Sequence, residues 1–251
     1  MFSRFRRAAV IAGFAAASVA TAPNALAEAP PASDEVVAIL LPGQYMGALP
    51  YQPFAGYLEQ NGVHAKVLDL PGFDLTEEPE TIASEVERAR AEHPEAQIAL
   101  VGHSIGGITS RWYLKELGGH PNVDTYIAIG SPQYGSPGGC GAPVGADVCP
   151  GTEYMNTLNA GDDTPGDTAY YNIRSEREWA DGNLDGGQCR VTPIRGFQPT
   201  PDLGLEHTFE GVDPRVWEAT LTALGGECDG EFVDVPDGEL TADGSLFPYR
   251  R

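Results

Sequence analysis

Gly102-His103-Ser104-Ile105-Gly106 is a G-x-S-x-G pentapeptide set between an apolar strand-like run, Gln97 to Val101, and a helical pattern from Gly107 to Leu117. The chemistry this arrangement suits is nucleophilic acyl transfer. A serine on so tight a strand-to-helix turn is held in a strained conformation that lifts its hydroxyl above the sheet edge. The flanking glycines let neighbouring backbone pass without meeting a side chain. The Ile105 N–H, at a helix N-terminus, then points toward any oxyanion formed there.

A serine hydroxyl is a weak nucleophile, so Ser104 needs an imidazole to take its proton and a carboxylate to orient that imidazole. In a strand-turn-helix site of this kind the chain order is nucleophile, acid, histidine. Of the five histidines, His64 begins a strand, His93 and His120 each precede a proline, and His103 is fixed within the elbow. That leaves His207, which the pattern places in a loop just before the last helix. The acid should follow the strand ending near Ile173-Arg174-Ser175, where Glu176, Glu178, Asp181 and Asp185 all qualify by position. Aspartate is the commoner acid, which favours Asp181. A second oxyanion donor is expected from the loop after the first strand, where Pro42-Gly43-Gln44 puts the Gln44 N–H near the elbow.

The elements that must position these residues alternate between strand and helix. Val36 to Leu41 is an unbroken apolar run suited to a buried parallel strand. Pro53 to Gln60 reads as a helix, Val63 to Leu70 as a strand, Thr81 to Ala91 as a helix and Val123 to Ile129 as a strand. Gly135 to Gly151 holds too much glycine and proline for regular structure. Glu153 to Leu158 reads as a short helix, Ala169 to Ile173 as a strand, and Glu178 to Gln188 as a loop. Asp213 to Leu224 is a well-marked helix, with Asp213 as N-cap, Pro214 in the first turn and Gly225 as stop. The alternation predicts an α/β domain with a mostly parallel central sheet and helices on both faces. The tail from Gly226 carries no clear pattern.

At 251 residues the chain is long enough for one such domain. Arg4, Arg6 and Arg7, the apolar stretch Ala8 to Ala20 and the Ala25-Leu26-Ala27 site predict a signal peptide over 1–27 and export to the extracellular space, with a single domain over 28–251. The apolar stretch is too short for a stable membrane anchor. A formal net charge of −21, with three of the few positive charges in the leader, argues against nucleic acid as a partner and against electrostatic docking on anionic membranes. Four cysteines in an exported chain favour two disulfides, for which Cys140–Cys149 and Cys189–Cys228 are the preferred pairs among three possible connectivities. The absence of C-x-x-C spacing speaks against a zinc site and for no metal.

Together these residues resemble the class 2 group of small secreted bacterial lipases in the α/β-hydrolase superfamily. The resemblance continues from the pentapeptide through Ser110-Arg111-Trp112-Tyr113-Leu114-Lys115 and Leu117-Gly118-Gly119. It resumes at Val123-Asp124, at Gly130-Ser131-Pro132-Gln133-Tyr134-Gly135-Ser136, and at Leu158-Asn159-Ala160-Gly161-Asp162-Asp163-Thr164-Pro165-Gly166. It implies an α/β-hydrolase fold and a carboxylester hydrolase, a lipase or esterase acting on acyl glycerols or related esters, with no cofactor. It implies Ser104 as nucleophile, Gln44 and Ile105 as oxyanion positions, and Glu178 at the position of the family's catalytic aspartate. The glutamate is one methylene longer, and the family's G-H motif near the base is altered to Glu206-His207-Thr208. The expected partner is an ester or lipid, met at a lipid–water interface or in solution, by a monomer. A polyester or cutin hydrolase and an acyltransferase share this residue set, and a secreted binding module without turnover is the reading from another class.

Overall fold

The computed structural model of the protein describes residues 35–176, 184–196 and 205–234. The expected signal peptide over 1–27 lies outside them, as do Glu178 and Asp181.

Val36–Leu41 (β1), His64–Val67 (β2), Gln97–His103 (β3), Thr125–Ile129 (β4), Ala169–Ser175 (β5), Gln188–Ile194 (β6) and Glu231–Val233 (β7) form one sheet among these residues, in the order β2-β1-β3-β4-β5-β6-β7. Neighbouring strands run parallel except for β7, which adds antiparallel to β6 at the edge. The helices are Gln52–Gln60 (α1), Glu78–Glu92 (α2), Ile105–Lys115 (α3), Glu153–Leu158 (α4), Leu205–Phe209 (α5) and Pro214–Leu224 (α6).

Period-two alternation along β1 sorts its side chains onto two faces. Ala38 and Leu40 join Phe54 and Leu58 of α1 and Val216 and Ala223 of α6 in one apolar layer. Val37, Ile39 and Leu41 join Ile82 and Val86 of α2 and Leu114 of α3 in the other. Both faces of β1 are therefore covered, which is why its sequence is apolar throughout rather than alternating. α6 begins as its sequence predicts, with the Asp213 carboxylate accepting from the Arg215 N–H.

Two expectations change in extent. β2 pairs with β1 only as far as Val67, and α2 starts at Glu78, with Pro79 in its first turn. β6 and β7, unexpected from the sequence, extend the sheet beyond β5.

Behind α3, the Arg111 guanidinium is fully buried against Asp163, itself buried. Lys115 reaches the same carboxylate at 3.0 Å, the Tyr134 hydroxyl donates to it at 2.5 Å, and Arg111 also donates to the Asn159 side-chain carbonyl. The segment from Leu158 to Gly166 thus anchors the outer side of the helix that follows Ser104.

The four cysteines pair as preferred, Cys140 with Cys149 and Cys189 with Cys228. The first closes the glycine-rich segment between β4 and α4, which is built of two short 3-10 turns, Pro137–Gly139 and Ala146–Val148. The second ties β6 to the chain just after α6.

Candidate active site

β3 ends and α3 begins around one residue, Ser104, whose φ of 54° lies in the left-handed region. That conformation is costly for any residue with a side chain, so the surroundings must impose it. They do so through two close backbone approaches. A β-carbon on Gly102 would lie 2.4 Å from the Gly107 nitrogen, and one on Gly106 would lie 2.4 Å from the Leu41 carbonyl oxygen. The Ser104 N–H donates to the Ile129 carbonyl at the end of β4, which pins the turn to the sheet.

His207 is brought to this serine from 103 residues further along. Its Nε2 lies 2.9 Å from Ser104 Oγ, so an unprotonated Nε2 accepts the serine proton. His207 is thus the histidine whose ring nitrogen meets the Ser104 hydroxyl. The local structure differs from the expected loop: His207 sits in α5, a helix of five residues followed by a 3-10 turn, Glu210–Val212. A stretch this short carries no helical period to read.

A second histidine ties the site together. His103 Nε2 lies 2.7 Å from the backbone carbonyl of His207, and its Nδ1 lies 2.5 Å from the Tyr51 hydroxyl. A carbonyl can only accept, so Nε2 carries the proton and Nδ1 accepts from Tyr51. Burial pushes the Tyr51 phenol well above its ordinary range, against the opposing pull of the Gly43 N–H, so it stays neutral and able to donate. Its oxygen accepts from that Gly43 N–H at 2.9 Å. One chain of bonds thus links the loop after β1, the elbow and the backbone of His207. Sequence reasoning set His103 aside, because a histidine next to the serine cannot reach it as a base.

In the loop after β1, the N–H of Gly43 is taken by Tyr51, and those of Tyr45 and Met46 by the Pro71 and Gly43 carbonyls. Among the described residues this leaves the Gln44 N–H as the amide of that turn without a protein acceptor. Gln44 and Ile105 line the same cavity as Ser104 and His207, a cleft of about 390 Å³. The opposite wall is the disulfide-closed segment, through Gly139, Ala142, Pro143, Val144 and Val148.

Of the candidate acids, Glu178 and Asp181 lie outside the described residues. Glu176 instead faces away, its carboxylate accepting from the Gly196 N–H, and Asp185 accepts from the Asp163 N–H. The structure adds a carboxylate that the sequence reading passed over. Glu210 is fully buried, accepts from the Ser175 N–H at the end of β5, and holds an oxygen within 4.8 Å of ring nitrogens of both His103 and His207. Only its position three residues beyond His207 could have flagged it, and in so acidic a chain that is a weak signal. These three residues carry atoms that suit a metal, but both nitrogens of His103 already serve the links just described.

The sequence matches the model of the alpha/beta hydrolase fold over residues 38–139. No curated protein matches it. Among solved structures, a protein from Listeria innocua, the product of gene lin2722, is 16% identical and superimposes with a TM-score of 0.53 over 78% of this chain and 97% of its own. The Bacillus licheniformis lipase BlEst2 in propeptide form is 20% identical, with a TM-score of 0.49 over 58% of this chain and 36% of its own. Aspergillus fumigatus lipase B is 23% identical, with a TM-score of 0.47 over 55% and 37%. The chain thus spans little more than a third of the length of either of these two lipase chains. Its fold is that of the α/β hydrolases, with a mostly parallel sheet and a serine at the sharp turn after its third strand.

Proposed function

We propose that the protein is a secreted serine carboxylester hydrolase of lipase or esterase type, cleaving acyl glycerols or related esters through an acyl-enzyme. The observation that carries this reading is the 2.9 Å contact between His207 Nε2 and the hydroxyl of a serine held at positive φ on a strand-to-helix elbow. In the first step Ser104 Oγ attacks the ester carbonyl and His207 Nε2 takes its proton. The Gln44 and Ile105 N–H groups hold the oxyanion, each such donor contributing about 3–4 kcal/mol of transition-state stabilisation. His207 then gives the proton to the departing alcohol, and water repeats the sequence to release the acid. The apolar wall of Ala142, Pro143, Val144 and Val148 suits an acyl chain, and exposed Tyr45 and Phe73, in ring contact at 4.9 Å, extend apolar surface from the mouth of the cleft.

For the acid, Glu178 is the first assignment and Asp181 its alternative. Glu210, buried beside the imidazole, is the candidate from within the described residues. Export through the 1–27 leader is part of the same proposal, and the two disulfides fit an oxidising destination.

A chromogenic ester tests the nucleophile. The wild-type chain should release a burst of alcohol and react with an organophosphonate, and Ser104→Ala should do neither; an undiminished burst in that variant overturns the proposal. Separate Glu178→Gln, Asp181→Asn and Glu210→Gln variants assign the acid, whose loss lowers kcat by about 10⁴-fold where the imidazole loses its orienting partner. Rates on tributyrin, long-chain triglyceride and polyester film rank the ester classes.

A further inference from the structure

At the end of the sheet opposite to Ser104, three side chains from three elements meet. Glu35 immediately precedes β1, His64 opens β2, and His93 caps the C-terminus of α2. The same oxygen of Glu35, Oε1, lies 2.6 Å from His93 Nδ1 and 3.2 Å from His64 Nε2, and the two imidazole rings lie 4.8 Å apart. One ligand atom from each of the three residues lies within 4.8 Å of the others. Tetrahedral zinc, with bonds of about 2.0–2.2 Å to nitrogen and carboxylate oxygen, sets its ligands roughly 3.3 Å apart, so small side-chain adjustments reach that geometry.

The backbone under each ligand is fixed. The Glu35 carbonyl accepts from the Gln97 N–H, His64 is in register with Val37, and the His93 N–H closes the last turn of α2 on Ala89. The approach is open, because the His64 side chain is 58% exposed and a cavity of about 390 Å³ lies beside both histidines. Its charged lining, Glu59, Glu85 and Glu92 against Lys66 and Arg88, joins Glu35 to give an excess of negative charge that favours a cation.

We propose that Glu35, His64 and His93 form a binding site for a zinc-class divalent cation, with water completing the coordination. Two imidazoles and one carboxylate select a borderline transition metal over calcium or magnesium, which take oxygen ligands. Such an ion joins the edge strand β2, β1 and α2 at the end of the molecule away from the serine. It stabilises the folded chain because the three ligands converge only there.

The test is titration of the full chain with zinc chloride by calorimetry and with cobalt(II) by visible absorption, in the wild type, His64→Ala, His93→Ala and His207→Ala. His64 is exposed, so its removal leaves the core untouched. The expected result is one equivalent of zinc and a cobalt spectrum of tetrahedral type, both retained in His207→Ala. Removing either ligand should weaken binding by about 100-fold or more, exceeding the loss typical of an outer-sphere partner. The melting temperature should rise with zinc in the wild type and stay unchanged in His64→Ala. No saturable binding overturns the proposal, and so does binding that survives loss of His64 or disappears with His207, which would put the metal at the serine site.

Discussion

Tyr51 takes part in no bond-making step, yet its hydroxyl serves two neighbours at once, donating to His103 and accepting from Gly43. Tyr51→Phe keeps the ring and leaves a buried N–H without its acceptor, a loss of about 1–3 kcal/mol. On the proposed mechanism the expected outcome is a lower urea midpoint together with a slower single-turnover acylation of Ser104 and little change in KM, because His207 and the loop holding Gln44 loosen while the wall around Val144 and Val148 does not. An unchanged acylation rate would mean that the His103 link has no part in placing His207. At this scale the sequence was informative where residue type and chain order were enough. The turn at Ser104 follows from its glycines and flanking pattern, and the candidate partner His207 from its place after β5. Partners chosen by three-dimensional approach were not legible. His103 and Tyr51 are 52 residues apart, and Glu35, His64 and His93 share no motif spacing, so a reading based on C-x-x-C patterns passed over them.

Among the elements, α3 joins two sites, since it begins just after Ser104 and its Arg111 and Lys115 reach the buried Asp163. Asp163→Asn would leave Arg111 buried without its counter-charge, and breaking a buried pair in this way costs about 3–5 kcal/mol. Denaturant unfolding of that variant should show the full loss in midpoint at an unchanged slope; a shift within error would mean that Arg111 finds another partner. The elements that were legible have strong local patterns: the apolar run of β1, the capped and proline-started α6, the strand and helix flanking the elbow. β6 was missed although Gln188, Arg190 and Thr192 alternate with Cys189 and Val191, because the alternation is short and Pro193 interrupts it before Ile194. It becomes a strand through its ladder to β5, whose register shifts between Ile173 and Ser175. β7 has three residues with Phe232 exposed, and α5 has five, lengths at which tertiary contact outweighs propensity.

For the molecule as a whole, the two disulfides divide stability from activity. In the loop-entropy account the Cys189–Cys228 bridge, spanning 39 residues, contributes about 4 kcal/mol, and Cys140–Cys149, spanning 9, about 2.6 kcal/mol. The paired change Cys189→Ser/Cys228→Ser should therefore lower the unfolding midpoint more. Cys140→Ser/Cys149→Ser should lower ester turnover more, because its loop walls the cleft. Equal effects of the two on turnover would show that the wall holds its shape without its bridge. The parallel sheet and its two covered faces were readable from alternation, and both cysteine pairs from spacing in an exported-looking chain. The cleft was not, because its walls come from the loops after β1, β3 and β4 and from α5. One feature bears on how the molecule comes into being. The elbow and His207 meet twice across more than a hundred residues, through the Ser104 hydroxyl at His207 Nε2 and through His103 Nε2 at the His207 carbonyl. On the proposed mechanism the elbow emerges during synthesis long before its base, so the nascent polypeptide carries the serine without a proton acceptor until the segment around His207 has been made and docked.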